Sequence, residues 1–238
     1  AGDRFYYGVV YFIMFLLLIV VLYPLIYIVS ASFSSPTAVS SGKVILWPVD
    51  FSLEGYKAVF RYDEVFVGYR NTLLYTILGT LINVVMTMLA AYPLARKGLP
   101  GGRVLTFLFT FTMLFSGGMI PKYIVMKQLH LLNSPLVMLL PGAINITNLI
   151  IARTFIKGIP EDLWEAAQLD GCSDAKYFFQ IVLPLCKAVL AVLVLYYAVG
   201  HWNAYFDAFL YLSNKALFPL QLFLREILVM NQINAATI

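Results

Sequence analysis

The side chains best placed to act on another molecule lie in one polar stretch, residues 159–184. It carries Glu161, Asp162, Glu165, Asp170 and Asp174, but the pattern is one of helix signals rather than of acid–base catalysis. Pro160 before Glu161 and Asp162 suits a helix start, because proline fits the first turn and acids favour the positive end of the helix dipole. Leu163, Ala166, Ala167 and Asp170 follow at helical spacing. Gly171 then ends the helix as a left-handed cap residue would. Ser173 or Asp174 can cap a second helix from about Ala175. The expectation is helix, glycine turn, helix.

A second set of chemically able residues sits inside apolar surroundings, where a polar group is costly and so a functional candidate by default. These are Asn83, Asn145, Asn148, His201, Asn203 and Asp207. Tyr197, Trp202, Asn203 and Tyr205, with Asn145 and Asn148, are what a sugar path needs, since sugar faces stack on rings and hydroxyls require partners. An interfacial aromatic belt explains Trp202 and Tyr205 equally well. His201 and Tyr205 share one helical face, Asn203 and Asp207 another, so only one of these stripes is expected to face a path.

Bond-making chemistry has no support. The glycines at 98–102 lack the lysine and following hydroxyl of a phosphate-binding loop. Cys172 and Cys186 have no metal-ligand spacing to each other or to His130 and His201, and are read as inert.

The elements that must position these residues belong to a membrane. The 238 residues are 61% hydrophobic and 12% charged, about half the charged share of a soluble domain, and mean hydropathy is +0.85. The net charge of +4 comes from basic residues scattered between apolar runs. It therefore marks loop anchors and not a nucleic-acid surface. Five charge-free stretches read as spans of an all-α, polytopic helical bundle: residues 5–42 (the helix ending near Ser30), 71–95, 104–121, 131–152 and 188–206. The third borrows residues 123–126, and the fifth begins near Ile181. Residues 36–48 read as loop. Residues 216–238 read as a surface or re-entrant segment, with a sixth span expected beyond Ile238. The first stretch is too long for a signal peptide and reads as a retained helix.

Three basic residues and no acid in the short loop 96–103 place that loop in the cytosol. The N-terminus and residues 153–176 then share that side, and the long, charge-balanced segment 43–70 lies outside.

Within 159–184, Glu165, Ala166, Ala167, Asp170, Gly171, Phe178, Leu183 and Pro184 stand at the fixed offsets of a known cytosolic loop. There the chain resembles the membrane subunits of ABC importers; Ala188 departs from a further proline common in that family. The resemblance covers nearly the whole chain and is closest to the second-permease type of the carbohydrate-uptake branch. The runs 202–212 and 218–225 are similar to the subgroup importing larger, including uronate-containing, oligosaccharides. The resemblance implies one permease domain, residues 1–238, in the bacterial cytoplasmic membrane. It implies that Glu165–Gly171 is a coupling helix docking on a separate ATPase, with small Ala166 and Ala167 permitting close approach. ATP and Mg would reside on that ATPase, and this chain would bind no cofactor and catalyse no reaction. Implied partners are a homologous permease, two ATPase subunits, an extracytoplasmic sugar-binding protein and the lipid bilayer. An ion-coupled secondary transporter is the alternative; it would carry paired intramembrane acids or interrupted helices at mid-membrane.

Overall fold

Two helices are long and apolar enough to cross a bilayer unbroken, and two more helix pairs meet that test only if a sharp bend is allowed within each. A computed structural model of the chain describes residues 2–236. Among them the backbone is almost wholly helical, and the one extended pairing is an isolated bridge between Ser34 and Phe51. The contacts divide the chain into residues 1–65 and 66–238.

In the first unit, α1 (Gly2–Ser32) is 31 residues long. At 1.5 Å per residue that is roughly 46 Å, ample for a hydrocarbon core of about 30 Å. Its apolar side chains are exposed all round, from Phe5 to Val29, as suits a helix solvated by lipid tails. Ser35 caps α2 (Pro36–Ser40) by accepting from the Ala38 N–H at 3.2 Å. A single helical turn thus stands where a loop is expected. Phe33 stacks on Phe51 (5.9 Å), and the Ser34 hydroxyl accepts from the Val49 N–H at 3.0 Å. The short α3 (Glu54–Phe60) follows.

The second long helix, α4 (Asp63–Ala95), starts two turns before the charge-free run, with Asp63 and Glu64 in its first turn. Acids there are favoured by the helix dipole, so residues 63–70 are helix and not loop.

Beyond α4 the spans read from charge-free runs are broken up. The third divides into α5 (Gly102–Leu114) and α6 (Met119–Gln128), bent by 116°. Gly118, at φ +86°, supplies a backbone that other residues rarely adopt. The fourth is not one helix: α7 (Leu136–Leu139) and α8 (Ile146–Lys157) are separate. His130 and Asn133 are left-handed, and Asn145 opens α8 as its cap, accepting from the Asn148 N–H at 3.1 Å.

Residues 162–185 hold α9 (Asp162–Leu169), α10 (Asp174–Tyr177), a π-helical turn (Phe178–Val182) and α11 (Leu183–Leu185). An 80° bend at Cys186 leads into α12 (Lys187–Trp202), so the fifth span does not run straight from Ile181. Then come α13 (Phe206–Tyr211), a 3-10 turn (Lys215–Leu217) and α14 (Leu220–Ala236). Arg225 and Glu226 lie inside α14 and do not interrupt it.

One face of α4 holds the chain around the 3-10 turn. The Asn71 amide donates to the Ala216 (2.8 Å) and Phe218 (3.0 Å) carbonyls. Tyr75 donates to Leu217 O (2.9 Å), and Thr72 Oγ1 accepts from the Leu220 N–H (2.9 Å). These bonds satisfy backbone groups that the irregular turn leaves open.

Candidate functional site

The helix–turn–helix of residues 159–184 forms for the local reasons its residues suggest. Gly171 stands at φ +70°, donates to Gln168 O (3.0 Å), and Cys172 N–H reaches back to Ala167 O (2.9 Å). These two bonds close α9 as a Schellman motif, which needs the left-handed residue. The Ser173 hydroxyl then accepts from the Lys176 N–H at 3.3 Å and starts α10.

Its side chains divide cleanly. Glu165, Ala166, Leu169 and Asp170 are exposed, with Leu169 at 91%. Ala167 is buried at 6% and packs into the chain's own core. Of the two alanines, therefore, only Ala166 is open to a partner; the smallness of Ala167 serves internal packing.

The loop after α4 clasps this segment. Arg96 lays its guanidinium 3.7 Å above the Trp164 ring, with Tyr92 and Tyr177 at 5.8 and 5.7 Å. Its charge also meets Asp174 at 3.9 Å. Beside it Lys97 pairs with Glu161, and that hydrogen bond and charge push the Lys97 ammonium above its usual range. Arg153 donates to Leu94 O (2.9 Å), closing the end of α4. No sequence spacing announced this clasp, since Arg96 and Lys97 stand more than sixty residues from Trp164, Asp174 and Glu161.

From Ala167 a single buried cluster runs through Tyr177, Phe178, Val182, Cys186 and Leu193 to Tyr197, with Met88 and Ala91 of α4 and Leu149 and Ala152 of α8 along its side. Interiors this closely packed transmit displacement rather than absorb it.

At the Tyr197 end opens a cavity of 670 Å³. Tyr197 and Thr87 share a 2.6 Å hydroxyl contact, and the Tyr197 hydroxyl also accepts from the Asn145 N–H at 3.1 Å. His201 Nε2 lies 2.7 Å from Asn83 Oδ1, and the Asn83 amide donates to the Gly142 carbonyl. Asn145, Asn148, Tyr197, Asn83, His201 and Asp207 all line the space. Trp202, Asn203 and Tyr205 stand outside its lining: Asn203 ends α12, its amide donating to Val199 O (2.9 Å), and Tyr205 lies under Arg225 at 5.2 Å.

The helical-face expectation fails here for a definite reason. Because α12 stops at Trp202, residues 201–207 are not one helix. His201 and Asp207 consequently share a cavity that a continuous helix would have denied them.

With this geometry in place, the family model for the binding-protein-dependent transport system inner membrane component matches residues 1–237. The chain belongs to that family. It is thus a polytopic, all-α inner-membrane permease of an ABC transport system, a translocation subunit and not a catalyst. It is 43% identical over 229 residues (96% of this chain, 79% of the relative) to the polygalacturonan/rhamnogalacturonan transport system permease protein YtcP of Bacillus subtilis strain 168. To protein LplC of the same organism it is 40% identical over 212 residues, 89% of this chain and 72% of that one. A solved bacterial ABC transporter involved in import of the acidic polysaccharide alginate is similar in structure, with TM-score 0.91 at 34% identity. That match covers 95% of this permease and 81% of the solved chain.

Proposed function

We propose that this permease is one of two homologous membrane subunits of an importer for uronate-containing oligosaccharides. An extracytoplasmic binding protein delivers the cargo, and two ATPase subunits, which hold ATP and Mg, drive the cycle. The observation that carries this reading is the unbroken core from Ala167 on α9 to Tyr197 at the cavity. A push on α9 reaches the cavity wall through packed side chains and not through a loop.

The exposed face of α9 supplies what a docking helix needs. Leu169 is a large apolar side chain almost fully in solvent, flanked by the carboxylates of Glu165 and Asp170 and the small Ala166. An apolar anchor ringed by polar groups is how interfaces concentrate binding energy. The cargo class is supported by the polysaccharides named for the relatives and by the amides and hydroxyls set into a largely apolar cavity wall, which suit sugar hydroxyls.

Orientation follows as well. The loop bearing Arg96 and Lys97 touches α9 and α10, so both lie on one face of the membrane. The positive loop supports a cytosolic placement of that face, and one crossing each by α1 and α4 supports the same side for the N-terminus.

The test is uptake by proteoliposomes holding the whole complex and its binding protein. Uronate oligomers should be accumulated at the expense of ATP. Uptake that persists without ATP and collapses with the ion gradient would instead mark a secondary transporter.

A further inference from the structure

Asp207 is the one fully charged side chain among the residues lining the 670 Å³ cavity. A lone carboxylate on that wall would repel an acidic cargo, and the repulsion strengthens where water is scarce. It is not alone. Lys122, on α6, holds its ammonium 3.2 Å from Asp207 Oδ1.

Structural support does not account for this pair. The lysine and aspartate side chains are 45% and 46% exposed, and ion pairs so open to solvent contribute little to stability. The elements that bear them are already joined by packing: Tyr123 stacks on Tyr211 at 6.1 Å, and Met126 shares a buried cluster with Ala208 and Tyr211. A lysine on a segment of a bent membrane span, paired with an acid at a cavity, marks a candidate solute path.

We propose that Lys122 is the counter-ion for a cargo carboxylate and therefore a specificity-determining residue. Before cargo arrives, Asp207, which lines the cavity, holds the ammonium. An entering uronate shares the Lys122 ammonium with Asp207, which keeps its own contact, so neither carboxylate is left without a cation. A neutral oligosaccharide gains nothing from this shared cation. The inference rests on the acidic-oligosaccharide reading above and adds the residue that recognises the acid.

The two partners of the pair then have opposite effects, which a structural bridge cannot produce. The experiment is the initial rate of uptake of a galacturonate oligomer, at sub-saturating concentration, into proteoliposomes holding the complete complex. Lys122→Gln should slow uptake about tenfold, leaving an uncompensated carboxylate facing the cargo. Lys122→Arg should retain most of the rate, showing that loss of charge and not misfolding is responsible. Asp207→Asn should keep or raise the rate, because it frees the ammonium. If Lys122→Gln and Asp207→Asn slow uptake together, or neither changes it, the pair is only a tether and the inference is overturned. If the wild-type complex does not import the uronate at all, the functional reading falls, and this inference with it.

Discussion

The Arg96 guanidinium carbon lies 3.7 Å from the centre of the Trp164 ring, and this contact ties the end of α4 to α9. Arginine suits the position because its planar, weakly hydrated group can stack and pair at once. Here it stacks on Trp164 while reaching Asp174. α4 and α9 should therefore move together when α9 is pushed.

Arg96→Lys keeps the charge and loses the stack. It should lower the thermal stability of the detergent-solubilised complex by about 1 kcal/mol, the size of a partly exposed cation–π contact. The molecules of cargo imported per ATP should fall with it. Trp164→Ala should be worse on both readouts.

Gly171 separates backbone strain from crowding. A Cβ there meets nothing within 4 Å, yet the residue sits at φ +70°. Gly171→Ala should cost roughly 1 kcal/mol from the left-handed conformation alone, and Gly171→Asn less. Gly171→Pro removes the N–H donated to Gln168 O and forbids the positive φ, and should abolish transport while membrane insertion persists. Import and insertion assays on the three variants check the order.

Gly79 is held small by a neighbour on another helix. A Cβ at that position would overlap the His201 imidazole. Gly79→Ala should displace the ring, break its contact with Asn83 and cost about 2 kcal/mol, as overpacking does. Adding His201→Ala should recover part of the loss. Unfolding of the two single variants and the double variant, taken as a cycle, reads the coupling.

Tyr197→Phe keeps the ring and removes the hydroxyl that meets Thr87 and the Asn145 N–H. The orphaned groups should cost about 1 kcal/mol. Because Asn145 caps α8 at the cavity wall, the half-saturating cargo concentration should rise more than the maximal rate falls.

Local signals were readable in the sequence and long-range ones were not. Pro160, Gly171 and Ser173 act within a few residues, so α9, its turn and α10 could be placed from spacing alone. The charge-free run 131–152 reads as a span because composition reports surroundings, and protein interior is as free of charge as lipid. Within it the left-handed Asn133 and the capping Asn145 divide the helix. Tyr197, Asn145 and Asn148 stand together at the cavity, but Asp207 joins them only through the break after Trp202. The clasp of Arg96 on Trp164 and the pairing of Lys122 with Asp207 depend on how helices meet, which periodicity along a single helix cannot report.

The sharpest probe of coupling is a cysteine introduced at position 169, in a chain whose Cys172 is replaced by alanine and whose remaining thiol, Cys186, is buried. Leu169 is 91% exposed at the end of α9, and α9 is proposed to seat on the ATPase. A short reagent, thiol-reactive at one end and photoreactive at the other, applied to inside-out vesicles should join Leu169→Cys to the ATPase subunit, and ATP should change the yield as the complex cycles. A complex that hydrolyses ATP and imports cargo, yet gives no such adduct and leaves the thiol freely labelled, would contradict the coupling role of α9.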